Sequence, residues 1–147
     1  GRMSVNGDTS LDGDVSVSGD ITVASHTSPI GTMLTDSATV NVLNSTGTAI
    51  CSVTLDKGTW LIEGNASFAK NATGRRIIDL SNGSGNVTAA VIEQTGAEVP
   101  AVSGGVTALH TTWQTKRTAQ TTIYLNAYQD SGAALSVTGY LRAMRIQ

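Results

Sequence analysis

The stretch Ala49-Ile50-Cys51-Ser52-Val53-Thr54-Leu55-Asp56-Lys57-Gly58-Thr59-Trp60-Leu61-Ile62-Glu63-Gly64-Asn65-Ala66-Ser67-Phe68 consists of two alternating runs on either side of a three-residue turn. Apolar side chains return at every second position, the period that puts one face of a β-strand against a core. Asp56-Lys57-Gly58 supplies the break, since glycine takes turn conformations that other residues avoid. Cys51 is the chain's single cysteine. No intrachain disulfide can form, and its place in an alternating run predicts a small buried side chain.

Outward from this stretch the same pattern repeats. Strands are predicted at 39–43, 49–55, 59–68, 76–80, 87–93, 106–113, 121–129 and 135–146, divided by turn clusters rich in Gly, Asn, Asp and Ser. Composition agrees: hydrophobic residues make up 39 % and charged residues only 14 % of the 147, so the long charged side chains that favour helices are scarce. Short strands at even spacing without helical periodicity point to an all-β double sheet, a jelly roll or its like. The net charge is −2, which gives no footprint for nucleic acid or an anionic membrane surface. No run reaches the 18 or so apolar residues of a membrane span, and no basic segment followed by an apolar one opens the chain.

Two strands predict more than a core. In 121–129, Ile123, Leu125 and Ala127 share one face while Tyr124, Asn126 and Tyr128 share the other. Tyrosines on a second face suit a subunit interface, where the ring buries area and the hydroxyl finds a partner. Near the end of the chain, Leu141 and Ala143 alternate with Tyr140, Arg142, Met144 and Ile146, so this strand too is expected to be covered on both faces.

Ahead of the strands lies a different period. Val5-Asn6-Gly7-Asp8-Thr9-Ser10, Leu11-Asp12-Gly13-Asp14-Val15-Ser16 and Val17-Ser18-Gly19-Asp20-Ile21-Thr22 are three hexads of the form aliphatic, any, Gly, Asp, β-branched or Thr, Ser or Thr. Each places a glycine corner, and its Asp can bond back to the turn backbone. Two apolar side chains per repeat cannot build a monomeric core, so stacked hexads require company. Three intertwined chains provide it, with Leu11, Val15, Val17 and Ile21 facing the shared axis. The expected organisation is a trimeric β-helical shaft over 4–23, the last turns of a longer one, then a polar hinge at 24–29 and a jelly-roll head over 30–147.

A resemblance accompanies these motifs. The segments 53–64, 123–132 and 139–146 resemble the trimeric jelly-roll heads of the tumour necrosis factor and complement globular-head superfamily, bacterial and phage versions in particular. The hexads are similar to the β-helical shaft repeats of phage tail fibres and baseplate receptor-binding proteins. The resemblance implies a homotrimer, with Tyr124, Tyr128, Tyr140 and Met144 at the head interface. It also implies a virion or bacterial-surface location, other tail or baseplate proteins met through the shaft, and a host saccharide as ligand. The collagen-like stalks of exosporium and animal relatives are missing, and aromatic residues are only 4 % of the chain. No calcium or ligand site of the family is therefore transferred.

No catalytic residue, cofactor or metal is expected. The acidic residues of the head form no recognisable pair, neither His26 nor His110 accompanies a nucleophile turn, and no phosphate loop is present. A three-fold axis could gather one histidine from each chain around a metal ion, although an ordinary solvated or hydrogen-bonded histidine is the simpler and preferred reading of each. The sequons at Asn44, Asn65, Asn71, Asn82 and Asn86 follow from a composition rich in Ser, Thr and Asn. For saccharide contact the expected residues are Arg75, Arg76, His110, Trp113, Lys116 and Arg117, with core packing a rival role for Trp113 as for Trp60. The alternatives to a saccharide-binding tip are a structural trimerisation module and a surface adhesin for a protein partner.

Overall fold

The computed structural model describes residues 29–87, 95–101 and 105–147. The shaft repeats, with Leu11, Val15, Val17 and Ile21, lie outside the described residues, as does His26. Eight strands follow in order: β1 (Met33–Val42), β2 (Thr48–Leu55), β3 (Gly58–Phe68), β4 (Arg75–Ser81), β5 (Thr95–Pro100), β6 (Thr107–Arg117), β7 (Thr121–Gln129) and β8 (Leu135–Arg145). They form two antiparallel four-stranded sheets of order β1-β8-β3-β6 and β2-β7-β4-β5. Apart from the β4–β5 link, every connection passes from one sheet to the other, so neighbours in sequence are rarely neighbours in a sheet.

Alternation decides what lies between the sheets. From β3 come Trp60, Ile62, Ala66 and Phe68, and from β8 come Val137, Leu141 and Ala143; the facing sheet sends Val53, Leu55, Ile78, Leu80, Ile123 and Leu125 into the same cluster. Full burial of each large aliphatic side chain stabilises the fold by about 1.5–3 kcal/mol. Trp60 is fully enclosed and its indole N–H donates to Asp56 O at 3.0 Å, tying the core to the β2–β3 turn. A bulge between Ala49 and Cys51 lets both Ile50 and Cys51 face inward.

Polar side chains close the ends and edges. Gln129 is buried, its Nε2 donating to Val42 O (3.0 Å) and Ala133 O (2.7 Å) while its Oε1 accepts from Ser131 N–H (2.8 Å). The β7–β8 turn is thereby fastened to the end of β1. Asp36 of β1 accepts from Ser52 N–H of β2 at 2.9 Å and joins the two sheets along one edge.

Several expectations need revising. β1 begins at Met33, six residues before the predicted 39, because a strand paired only with β8 need not be apolar on its outer side. β6 runs on to Arg117, since Trp60, Thr59 and Gly58 pair with Thr115, Lys116 and Arg117. Of the predicted strand 87–93, Val87 lies outside any strand and the remainder falls outside the described residues; the fifth strand observed is Thr95–Pro100. Tyr128 is not at an open interface. It is 5 % exposed and packs with Ile77 and Val87, because the segment after β4 folds back over this sheet. Asn126 holds that segment, with Nδ2 donating to Ser81 Oγ (2.9 Å) and Gly83 O (2.9 Å) and Oδ1 accepting from Gly85 N–H (2.8 Å).

Candidate functional site: two ends and one open face

The sandwich has a direction. Gly31 N–H donates to Arg145 O and Arg145 N–H to Thr32 O, so the chain enters beside the start of β3 and the end of β8. The loops following β1, β3 and β7 all lie at the opposite end, joined there by the residue after β5: Ser45 N–H donates to Gln129 O, Gly132 N–H to Asn44 Oδ1 (2.7 Å) and Ala101 N–H to Gly74 O. Ten residues of extended strand separate the two ends, about 33 Å.

The predicted contact residues are divided between these ends. At the loop end, Arg75 is partly exposed and lies between two carboxylates, with Nε to Asp130 Oδ2 at 3.1 Å and Nη1 to Glu98 Oε1 at 3.3 Å. Asp130 also accepts the Arg75 backbone N–H through Oδ1. That backbone bond, ahead of the guanidinium's bond and charge, holds the Asp130 carboxyl below its usual range. Asn71 Oδ1 accepts from Thr73 N–H and Oγ1, both at 2.9 Å, which shapes the neighbouring loop.

Arg76 is a correction to the predicted set. It points into the sandwich and is fully enclosed, with Nη1 donating to Arg75 O (2.9 Å) and Nη2 to Asn71 O (3.3 Å). Burial lowers its pKa, partly offset by the charge of Asp130. It anchors the loop from within and presents nothing to a ligand. Trp113 is half-buried against the core cluster, as its rival role required.

Lys116 and Arg117 stand at the other end. They line a cleft of about 430 Å³ together with Lys57, Gly58, Thr59, Thr118, Arg145 and Gln147. Register assembles it, because Gly58 sits opposite Arg117 and Trp60 opposite Arg145 on the two flanks of β3. Lys57 and Arg145 were missed in sequence, where one stands in the Asp56-Lys57-Gly58 turn and the other at the end of the last strand. Gly58 has φ 151°, and a Cβ there would lie 2.6 Å from Arg145 Nε, so the glycine makes room for that guanidinium.

Between the ends lies the outer face of the β1-β8-β3-β6 sheet. Met33, Met144 and Leu61 form one row across three strands, then Arg142 and Glu63 the next, then Tyr140, Asn65 and His110. Arg142 Nε donates to Glu63 Oε2 at 2.8 Å. Met33 is 52 % and Tyr140 43 % exposed, and Ile30 and Ile146 add exposed apolar surface nearby. Nothing in the described chain covers this face, so the outer side of β8 is open. Tyr124, half-buried, belongs to the other sheet. The four proposed interface residues of the head therefore do not share one surface; Tyr140 and Met144 do.

No family model, curated protein or solved structure matches this chain. Among the described residues, no three His, Cys, Asp or Glu side chains group as metal ligands, and His110 stands exposed on a sheet face. No helix of the described structure is long and apolar enough to cross a membrane.

Proposed function

We propose that this chain forms the non-enzymatic, homotrimeric tip of a phage or prophage tail fibre or baseplate and attaches to saccharide on the host cell surface. The observation that carries this reading is the direction of the sandwich: the chain enters at the Arg145 end, and the loops bearing Arg75, Asn71, Thr73 and Asp130 are presented at the other. A head held by its base meets a surface with its far end. Rigid sandwiches commonly carry recognition on such loops.

Three further features support it. The strand order β1-β8-β3-β6 and β2-β7-β4-β5 in two antiparallel sheets supports the eight-stranded jelly-roll head that the sequence resembles. The open row Met33, Leu61, Met144, with Tyr140 nearby, is suited to burial against a second copy. Three linked copies would turn weak single-site contacts into firm attachment, since the later contacts form at high effective concentration. The test is a screen of host-envelope saccharides with the full chain and with Arg75→Glu. Binding that the substitution abolishes in a chain that still unfolds in one cooperative transition supports the reading; binding that survives it moves recognition elsewhere.

The basic cleft favours a second reading. It lies at the end where the chain enters, where a preceding shaft or an assembly partner would be met, as a structural trimerisation module or a protein-binding adhesin would require. A well-folded trimer silent on every saccharide, yet retained by a neighbouring fibre component, would favour that role.

A further inference from the structure

The cleft at the base of the head carries side-chain charge of one sign. Four cationic side chains, Lys57, Lys116, Arg117 and Arg145, line it, and no carboxylate side chain does. Asp56, next in sequence to Lys57, accepts at Oδ1 from Gln120 Nε2 (3.2 Å) and at its main-chain oxygen from Trp60. Arg145 is only partly engaged, with Nε donating to Gln147 O at 3.2 Å.

Arg117 gives the stronger evidence. Its guanidinium lies 4.5 Å from the centre of the Trp113 ring, fixed by the packing of that ring on the core. Its Nε and Nη2 are shut away from solvent and have no acceptor among the described residues, as is true of Arg76 Nε inside the sandwich; Nη1 is left as the Arg117 guanidinium nitrogen that can face the cleft. Removal from water without a partner is costly for a charged donor, and like charges around it raise the cost. Burial accordingly lowers the Arg117 pKa. A guanidinium held in place among two lysines and a second arginine suits an oxyanion, which takes N–H donors from Arg and point charges from Lys. The cleft's volume lies within the range of about 300–1,000 Å³ typical of small-ligand sites.

We infer that this cleft is an oxyanion-binding site, filled by a phosphate, sulfate or carboxylate group held between Arg117, Arg145, Lys57 and Lys116. Two sources share that chemistry. One is a free anion or an anionic substituent on a ligand; the other is the run of aspartates Asp8, Asp14 and Asp20 in the hexads, from the same chain or a neighbouring one.

Thermal unfolding of the full chain, with sodium phosphate or sulfate titrated against sodium chloride at matched ionic strength, tests this. A free-anion site predicts that phosphate or sulfate raises the midpoint by several degrees beyond chloride. Lys116→Gln, a surface change that spares the Trp113 stack, should then weaken the apparent affinity about tenfold. Occupancy by the aspartates predicts instead a wild-type chain indifferent to phosphate, and a response that appears in the Asp8→Asn, Asp14→Asn, Asp20→Asn chain and is weakened by Lys116→Gln. If neither chain responds to phosphate or sulfate beyond chloride, or if Lys57→Gln, Lys116→Gln leaves the response unchanged, the inference is wrong. Loss of saccharide binding on Arg75→Glu is independent of all these outcomes, so failure of the anion site and failure of the attachment reading are separable.

Discussion

Leu125 fills a gap that two glycines leave open in the facing sheet. A Cβ at Gly64 would stand 2.8 Å from Leu125 Cδ1 and 3.0 Å from Leu80 Cδ2, and one at Gly139 would stand 3.0 Å from Leu125 Cδ2. Because Leu125 is fully buried and faces positions with no side chain to relax into the space, Leu125→Ala should cost about 3–5 kcal/mol, the upper part of the range for such truncations. Gly64→Ala alone overpacks the same spot and should cost about 1–2 kcal/mol, reduced by the smaller backbone entropy it loses on folding. In the Leu125→Ala background that methyl group loses its closest clash and enters the cavity. The double variant should therefore be more stable than Leu125→Ala by about 1 kcal/mol, a coupling of about 2–3 kcal/mol between the sites. Urea unfolding followed by the fluorescence of buried Trp60, at one fixed chain concentration, measures all four corners of the cycle. Additive costs within about 0.5 kcal/mol would refute the packing argument.

Four other outcomes follow from the structure. Asp130 has a carboxyl held below its usual range by the Arg75 N–H and guanidinium, so its contribution is full above the unfolded carboxylate pKa and declines as pH falls through the lowered folded value; Asp130→Asn should flatten the acid limb of a midpoint-against-pH curve and lower the neutral midpoint, by about 1 kcal/mol. Burial first, and the charge of Asp36 second, push the Cys51 thiol up to about 12, so at pH 8 a thiol reagent should modify it only as fast as the chain opens. Stability should also fall as pH rises above 9, where the unfolded thiol ionises and the folded one does not, a decline visible in denaturant midpoints. Met144→Glu, on the open face, should leave the Trp60 unfolding transition of the isolated head in place while making assembly concentration-dependent by sedimentation.

Period-two alternation made the fold class legible, because a sandwich strand exposes its role within five or six residues. The strand Thr95–Pro100 was not legible for the same reason: it carries Gly96 and ends on Pro100, which an edge strand tolerates. Tyr128 was read as an interface residue because alternation shows which residues share a face and not what covers it. Its cover is the segment from Ser81 to Val87, fastened by Asn126 across more than forty residues of sequence. The cleft was half legible: Lys116-Arg117 stood out as a charged pair, but Lys57 and Arg145 join them only through the pairing of β3 with both β6 and β8. Arg76 misled because its neighbour Arg75 is exposed and the strand's alternation turns the second arginine inward.

The shaft reading, the open apolar face and the arithmetic of multivalent attachment all depend on three-fold assembly. Light scattering of the full chain at micromolar concentration tests it most directly. The account predicts a single species of three times the 15.1 kDa chain mass. A stable monomer at that concentration would contradict it.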